Sequence, residues 1–252
     1  MASTDRLRQI TEAVRGHGQL SVAELADLTG ASEMTIRRDL EVLADQGVLE
    51  RYRGGARSLL LRGEEPPFAL RAQEGVEVKR RIAAEVARLI ADGESVVLDS
   101  GTTCLEVARA LRERRLTVMP LSVHAVNALV GAPRLKLLLP GGEPRPGELG
   151  LTGPLAEASL AALRFDTAVI GCCGLSTANG LTAYDLADAA VKRAAIASAR
   201  RVVVVADAAK FSRTALAHVT PAAALHAVIT DEAAPEEETA ALRASGVTVR
   251  AV

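Results

Sequence analysis

From about Val76 onward, short uninterrupted apolar runs recur between helical stretches, and nothing else in this 252-residue chain narrows its fold so far. The runs are "SVVLD", "LTVMPL", "LKLLLP", "FDTAVIG", "RVVVVAD", "LHAVITD" and "GVTVR". A strand that is apolar on both faces needs cover on both faces, which is the habit of parallel sheets. Between the runs lie stretches with helical spacing, among them "EVKRRIAAEVARLIAD", "LADAAVKRAAIASAR" and "PEEETAALRAS". The alternation predicts an α/β doubly wound, Rossmann-like domain over residues 76–252. Aromatic residues make up 2% of the chain and Trp is absent, so Ala, Leu, Val and Ile must fill the core. The same scarcity argues against stacking platforms for single-stranded nucleic acid.

The first 58 residues follow another rhythm. Leu7, Ile10 and Val14 sit at helical spacing in "DRLRQITEAVRG". Ser21 with Glu24 three residues later reads as a capping box opening a second helix, which ends near Thr29-Gly30. Ser32 caps a third, with Ile36, Leu40 and Leu43 on one face and Glu33, Met34, Thr35, Arg37, Arg38 and Glu41 around the others. Gly47 stops it, and "VLERYRGGARSLLL" with Gly54-Gly55 suits a two-stranded ribbon. Three helices and a hairpin describe a small winged helix-turn-helix domain over 1–58. "RGEEPPFALRAQEG" shows no periodicity and reads as part of a linker over 59–75.

In a helix-turn-helix the second helix of the pair lies in the major groove with its N-terminal residues at the base edges. Here those are Glu33, Met34, Thr35, Arg37 and Arg38, with the cap residue Ser32 a further DNA-binding candidate. Arg forks to guanine or clamps a phosphate, and Thr contacts a phosphate or a thymine methyl. Arg51, Arg53 and Arg57, with Gly54 and Gly55, place a cationic wing against the neighbouring backbone. The competing reading is a solvated helix with ordinary surface arginines. In its favour, residues 1–58 hold eight Arg against nine Asp or Glu, so a positive footprint has to come from placement.

In the second domain, the loop Asp99-Ser100-Gly101-Thr102-Thr103 follows an apolar strand and opens a helix. Small residues, hydroxyls and a helix N-terminus make an anion cradle, although a plain N-capped turn fits as well. Ser122, Gly141-Gly142 and Gly174 in "GCCGLS" follow other strands. In a parallel sheet the strand C-termini share one edge, where ligands bind. Asp207 and Lys210 follow another strand, and Lys192 lies on the helix before it; together they can grip hydroxyls and phosphate, or form a mere surface ion pair. Tyr184 and Asp185 either cover the site as a loop or cap the next helix.

Cys104, Cys172 and Cys173 lack the spacing of a disulfide framework or a zinc site, and the four His show no ligand or triad spacing. No metal and no cofactor is expected. Neither a signal-peptide pattern nor a membrane-length apolar run is present, so the expected location is cytoplasmic, away from membranes.

The stretch "SVAELADLTGASEMTIRRDLEVLADQGVLERYRGGA" resembles the N-terminal signature of DeoR-type bacterial transcription regulators, with "TIRRDL" and "RGGA" its most specific parts. "DSGTT", "LPGGE", "FDTAVIGCCGLS", "GLTAYD", "VKRAAI", "VVVVADAAKF" and "VITD" are similar to the sensor domain of the same family. The resemblance spans nearly the whole chain and implies a sugar-phosphate-isomerase-like sensor fold. It further implies that a phosphorylated sugar or related small anionic metabolite binds at Gly101, Thr102, Thr103, Gly141, Gly142, Lys192, Asp207 and Lys210. One departure stands out: Pro120-Leu121-Ser122 replaces the family's Thr-Asn-Ser. That implies a lost ligand hydroxyl contact or a different ligand.

The first reading is therefore a sequence-specific transcription regulator, a repressor released from double-stranded operator DNA by its metabolite and acting as a homodimer or homotetramer. The alternative is a sugar-phosphate isomerase-like enzyme fused to a DNA-binding module. That chemistry needs a general base. Asp99, Asp185, Asp188 and Asp207 are available, and no pattern singles one out.

Overall fold

Ser21 opens the second helix as its sequence dictates. Its hydroxyl accepts the Glu24 N–H, and the Glu24 carboxylate accepts the Ser21 N–H, closing the capping box in the computed structural model. The structure describes residues 3–59, 65–211 and 213–252. Helices run over Ser3–His17, Val22–Thr29 and Glu33–Asp45, the second ending at Gly30 with φ 67° and the third capped by Ser32. Ile36, Leu40 and Leu43 meet Ile10, Val14 and Leu25 in one buried core. Strands Leu49–Tyr52 and Gly55–Ser58 pair with Tyr52 opposite Gly55, so Arg53-Gly54 forms the turn. The sequence pattern suggests two strands, and the structure adds a third, Gln19–Ser21, against the second. Three residues are too few for alternation to show.

Residues 65–74 depart from the linker expected over 59–75. A short helix, Phe68–Arg71, forms there, and Leu70 is buried in the N-terminal core. Arg71 donates to the Pro66 carbonyl at 2.7 Å and pairs with Glu65 at 3.3 Å. The apolar positions in this stretch are few, so burial of one leucine decides its structure without leaving a readable period. Part of the expected linker, 60–64, lies outside the described residues. The chain divides into units Met1–Glu74 and Gly75–Val252.

The second unit is built on a seven-stranded sheet in which every pair is parallel. In spatial order its strands are Thr248–Ala251, Ala227–Thr230, Ala199–Val205, Phe165–Gly171, Ser95–Leu98, Thr117–Pro120 and Lys136–Leu137. Helices Val76–Leu89, Thr102–Leu111 and Val123–Leu129 contribute to one core face, and Pro154–Ala161, Leu186–Ala197 and Glu236–Ala244 to the other. Two additions do not belong to the winding. Gly174–Ser176, Gly180–Ala183 and Ala217–Thr220 form an antiparallel sheet, and Glu143–Pro144 with Leu151–Thr152 makes a small hairpin. The winding direction reverses between Ser95–Leu98 and Phe165–Gly171, the first and fourth strands of the sheet in sequence. In open α/β sheets, the crevice beyond the strand ends at such a reversal is where ligands bind.

Candidate functional site

On the Glu33–Asp45 helix, the outward positions differ in how strongly they are engaged. Met34 is 65% exposed, Thr35 is half-buried and its N–H donates to the Ser32 hydroxyl, and Arg37 pairs with Glu33 at 2.7 Å on the open surface. Arg38 is exposed and makes no hydrogen bond or ion pair among the described residues. The wing repeats the contrast. Arg57 pairs with Glu50 at 2.6 Å and Arg51 lies 3.5 Å from Glu41, whereas Arg53 at the turn is exposed and unengaged among the described residues. Exposed pairs of this kind contribute at most about 1 kcal/mol, so a phosphate can displace the carboxylate cheaply.

Gly54 and Gly55 hold the wing in shape for different reasons. Gly54 turns with φ 98° and its carbonyl accepts the Val22 N–H at 2.8 Å. A Cβ on Gly55 would stand 2.4 Å from the Leu20 carbonyl oxygen and 2.6 Å from the Tyr52 hydroxyl. Behind the face lies a pair the sequence pattern did not reveal. Asp39, buried on the same helix, accepts from Arg6 Nε at 2.6 Å and Nη2 at 3.3 Å, tying the first helix to the third.

In the second unit, the loop Asp99 to Thr103 leaves the first sheet strand at the reversal point. Asp99 N–H donates to the Val169 carbonyl, and Gly171 N–H returns a 2.9 Å bond to Asp99 Oδ2, so the carboxylate is seated between the two strands. Lys192 reaches it from the Leu186–Ala197 helix as a buried ion pair, with Asp188 Oδ2 3.5 Å from the same ammonium. Burial pushes the Asp99 carboxyl above the ordinary carboxylate range, against the pull of Lys192. Burial also lowers the Lys192 pKa, but Asp188 and Asp99 more than reverse this, and the ammonium stays charged. Lys192 is thus enclosed by two carboxylates, and its charge is spent inside the protein. Cys104, buried beneath Asp99, is pushed well above its usual value by desolvation and stays a thiol.

Ser100, buried, donates to Asp188 Oδ1 at 3.5 Å. Gly101 takes φ 103° at the N-cap of Thr102–Leu111 and supplies no side-chain cap; Thr102 is buried and Thr103 half-buried. Ser122 caps Val123–Leu129 and bridges to Gly150 of the hairpin loop, which also packs on Ser100. Asp185 caps the Leu186–Ala197 helix by accepting the Asp188 N–H at 2.8 Å. Tyr184, half-buried, precedes it. Asp207 caps a 3-10 turn over Ala208–Lys210, accepting from Ala209 N–H at 3.1 Å, and Lys210 ends that turn half-buried.

Two glycines are demanded by the packing of the backbone around them. A Cβ on Gly142 would meet the Thr152 carbonyl at 2.5 Å, and one on Gly174 the Arg213 carbonyl at 2.1 Å, so both serve backbone packing. Gly141 beside them is exposed, with Leu155 the nearest side chain. The glycine that borders the Asp99 loop is Gly171, where a Cβ would stand 3.3 Å from the Ser100 carbonyl. Nothing in the local sequence around Gly171 marks it, because its contact with Asp99 crosses 72 residues. Leu121 is buried in the core with Ile170 and Ala189, so an apolar side chain there adds to packing.

Two family models match the chain: a DeoR-like helix-turn-helix domain at residues 6–60 and a DeoR C terminal sensor domain at residues 74–232. A putative aga operon transcriptional repressor of Escherichia coli O157:H7 is 32% identical over 250 residues, 98% of this chain and 93% of that protein. The glycerol-3-phosphate regulon repressor of Escherichia coli strain K12 is 33% identical over 236 residues, 93% of each. Among solved structures, ribose 5-phosphate isomerase A of Methanocaldococcus jannaschii overlaps 55% of each chain with a TM-score of 0.40 and 18% identity, too distant to carry an argument. The matches run across both units in order, and the chain belongs to the DeoR family of DNA-binding transcription regulators; it is a regulator and not an enzyme.

Proposed function

We propose that this protein represses transcription by binding operator DNA through Ser32, Met34, Thr35, Arg37, Arg38, Arg51, Arg53, Gly54 and Gly55, and is released by a phosphorylated sugar or related anionic metabolite. The observation that carries the reading is the gathering of the Asp99–Thr103 loop, Ser122 and the Asp185 cap at the strand ends beside the sheet reversal, in a chain that also carries a helix-turn-helix unit. Tyr184, Asp207 and Lys210 complete the proposed effector site. Lys192 acts within it by fixing Asp99 and Asp188 in place. Carboxylates held there suit sugar hydroxyls, which donate to them.

The repressor acts as a homodimer or homotetramer, in the cytoplasm. Paired recognition helices then meet successive major grooves about 34 Å apart. The metabolite shifts the population toward a DNA-incompetent arrangement by its differential affinity for the two states. The test selects an operator from random duplex DNA and follows it by fluorescence anisotropy. Arg38→Ala and Arg53→Ala each weaken binding and lower the slope against salt by about one counterion. A panel of sugar phosphates then releases the wild-type protein, while their unphosphorylated partners do not. Undiminished operator binding by a heterodimer lacking one recognition helix removes the dimeric docking, and release by no member of the panel removes the effector class.

A further inference from the structure

At the strand-end edge of the second unit, the guanidinium of Arg145 is poorly satisfied. Its Nε is shut off from solvent with no hydrogen-bond partner among the described residues, and its side chain is only 25% exposed. The nearest carboxylate oxygen, Asp185 Oδ2, lies 3.9 Å from Nη1, outside hydrogen-bonding distance. The Arg145 side chain makes no hydrogen bond among the described residues. A buried donor left unmade is costly, and for a cation the missing partner is an anion.

A chain of contacts places Arg145 on the rim of the effector site. Its N–H donates to the Gly150 carbonyl at 2.8 Å, and Gly150 packs on Ser100. Ser100 bonds Asp188, whose N–H is held by Asp185, and Asp185 faces Arg145. The hairpin turn that carries Arg145 is fixed from both ends. Leu149 N–H donates to the Arg145 carbonyl at 2.8 Å, Leu149 takes the uncommon φ of 52°, and its own carbonyl accepts from Val123 N–H. Lys192 cannot play the anion-holding part, because Asp99 and Asp188 already enclose it.

We propose that Arg145 is the anion clamp of the effector site, forking onto the phosphate of the metabolite and taking it in place of the loose contact with Asp185. The inference rests on the effector-released repressor reading and assigns that ligand's charged end. Asp185 enters as a competitor, since its carboxylate occupies the ground the phosphate needs while its other oxygen caps the helix.

Isothermal titration of the full chain with inorganic phosphate tests it. The wild type binds, Arg145→Gln binds at least about tenfold more weakly, and Asp185→Asn binds severalfold more tightly, because Asn keeps the cap and withdraws the competing charge. A merely structural arginine has no reason to give the second result. Thermal unfolding without phosphate establishes that each variant folds. Should Arg145→Gln not fold, Arg145→Lys keeps the charge without the fork, and its affinity falls below that of the wild type. Equal affinity in wild type and arginine variant, or no phosphate binding by the wild type, overturns the assignment. Operator anisotropy separates this from the wider reading. Release by sugar phosphates that survives in Arg145→Gln sinks the clamp and leaves the repressor, whereas a wild type that binds no DNA sinks the repressor itself.

Discussion

Asp166 shows how one side chain can seam two strands. Its carboxylate accepts from the backbone N–H and the hydroxyl of Ser95, both at 2.8 Å, and these bonds, helped by Arg200, hold its pKa below the usual range. A depressed carboxylate contributes stability that is present above its unfolded value, about 3.9, and is lost as pH falls through the lower folded value. Asp166→Asn should therefore flatten the acid limb of the stability curve below about pH 4. Denaturant titrations across that range check it, and an unchanged limb would show that Asp166 does not carry it. Asp39 makes a second case. Asp39→Ala strands Arg6 between two helices and should cost about 1–3 kcal/mol, read as a lower midpoint in urea. In the sequence, Asp39 looks like one more polar residue beside two arginines. Only its partner, 33 positions away, makes it structural.

Among the elements, the wing is the most exacting. Gly55 lies against both the Leu20 carbonyl and the Tyr52 ring, so Gly55→Ala forces backbone apart and should cost about 1–3 kcal/mol. The same change displaces Arg53 and weakens operator binding, whereas Gly16→Ala, where a Cβ meets nothing within 4 Å, leaves binding as it was. Anisotropy with both variants separates wing geometry from general loss of fold. Helix boundaries were legible in advance, because caps act locally: Ser21 with Glu24, Gly30 and Ser32 each fix an end through bonds spanning three or four residues. The short strand Gln19–Ser21 was not, since pairing with Gly55–Arg57, more than 30 residues on, gives it its form.

For the whole molecule, the apolar cores divide as the sequence rhythm does. One core holds the three N-terminal helices and the wing, and two cover the faces of the parallel sheet. A fragment of residues 75–252 should therefore fold alone and unfold in one cooperative transition, checked by calorimetry and circular dichroism. Failure of that fragment to fold would mean the sensor unit depends on the DNA-reading unit. By itself the sequence determined the winged helix-turn-helix, the parallel sheet and the DeoR family, because periodicity, capping and motif are written in residues close together along the chain. Tertiary structure alone decided which charges remain available. It enclosed Lys192 between Asp99 and Asp188, and left the guanidinium of Arg145 without a hydrogen bond among the described residues. The reason is physical: the electrostatic state of a side chain depends on burial and on neighbours set by the fold, and separation along the chain says nothing of either.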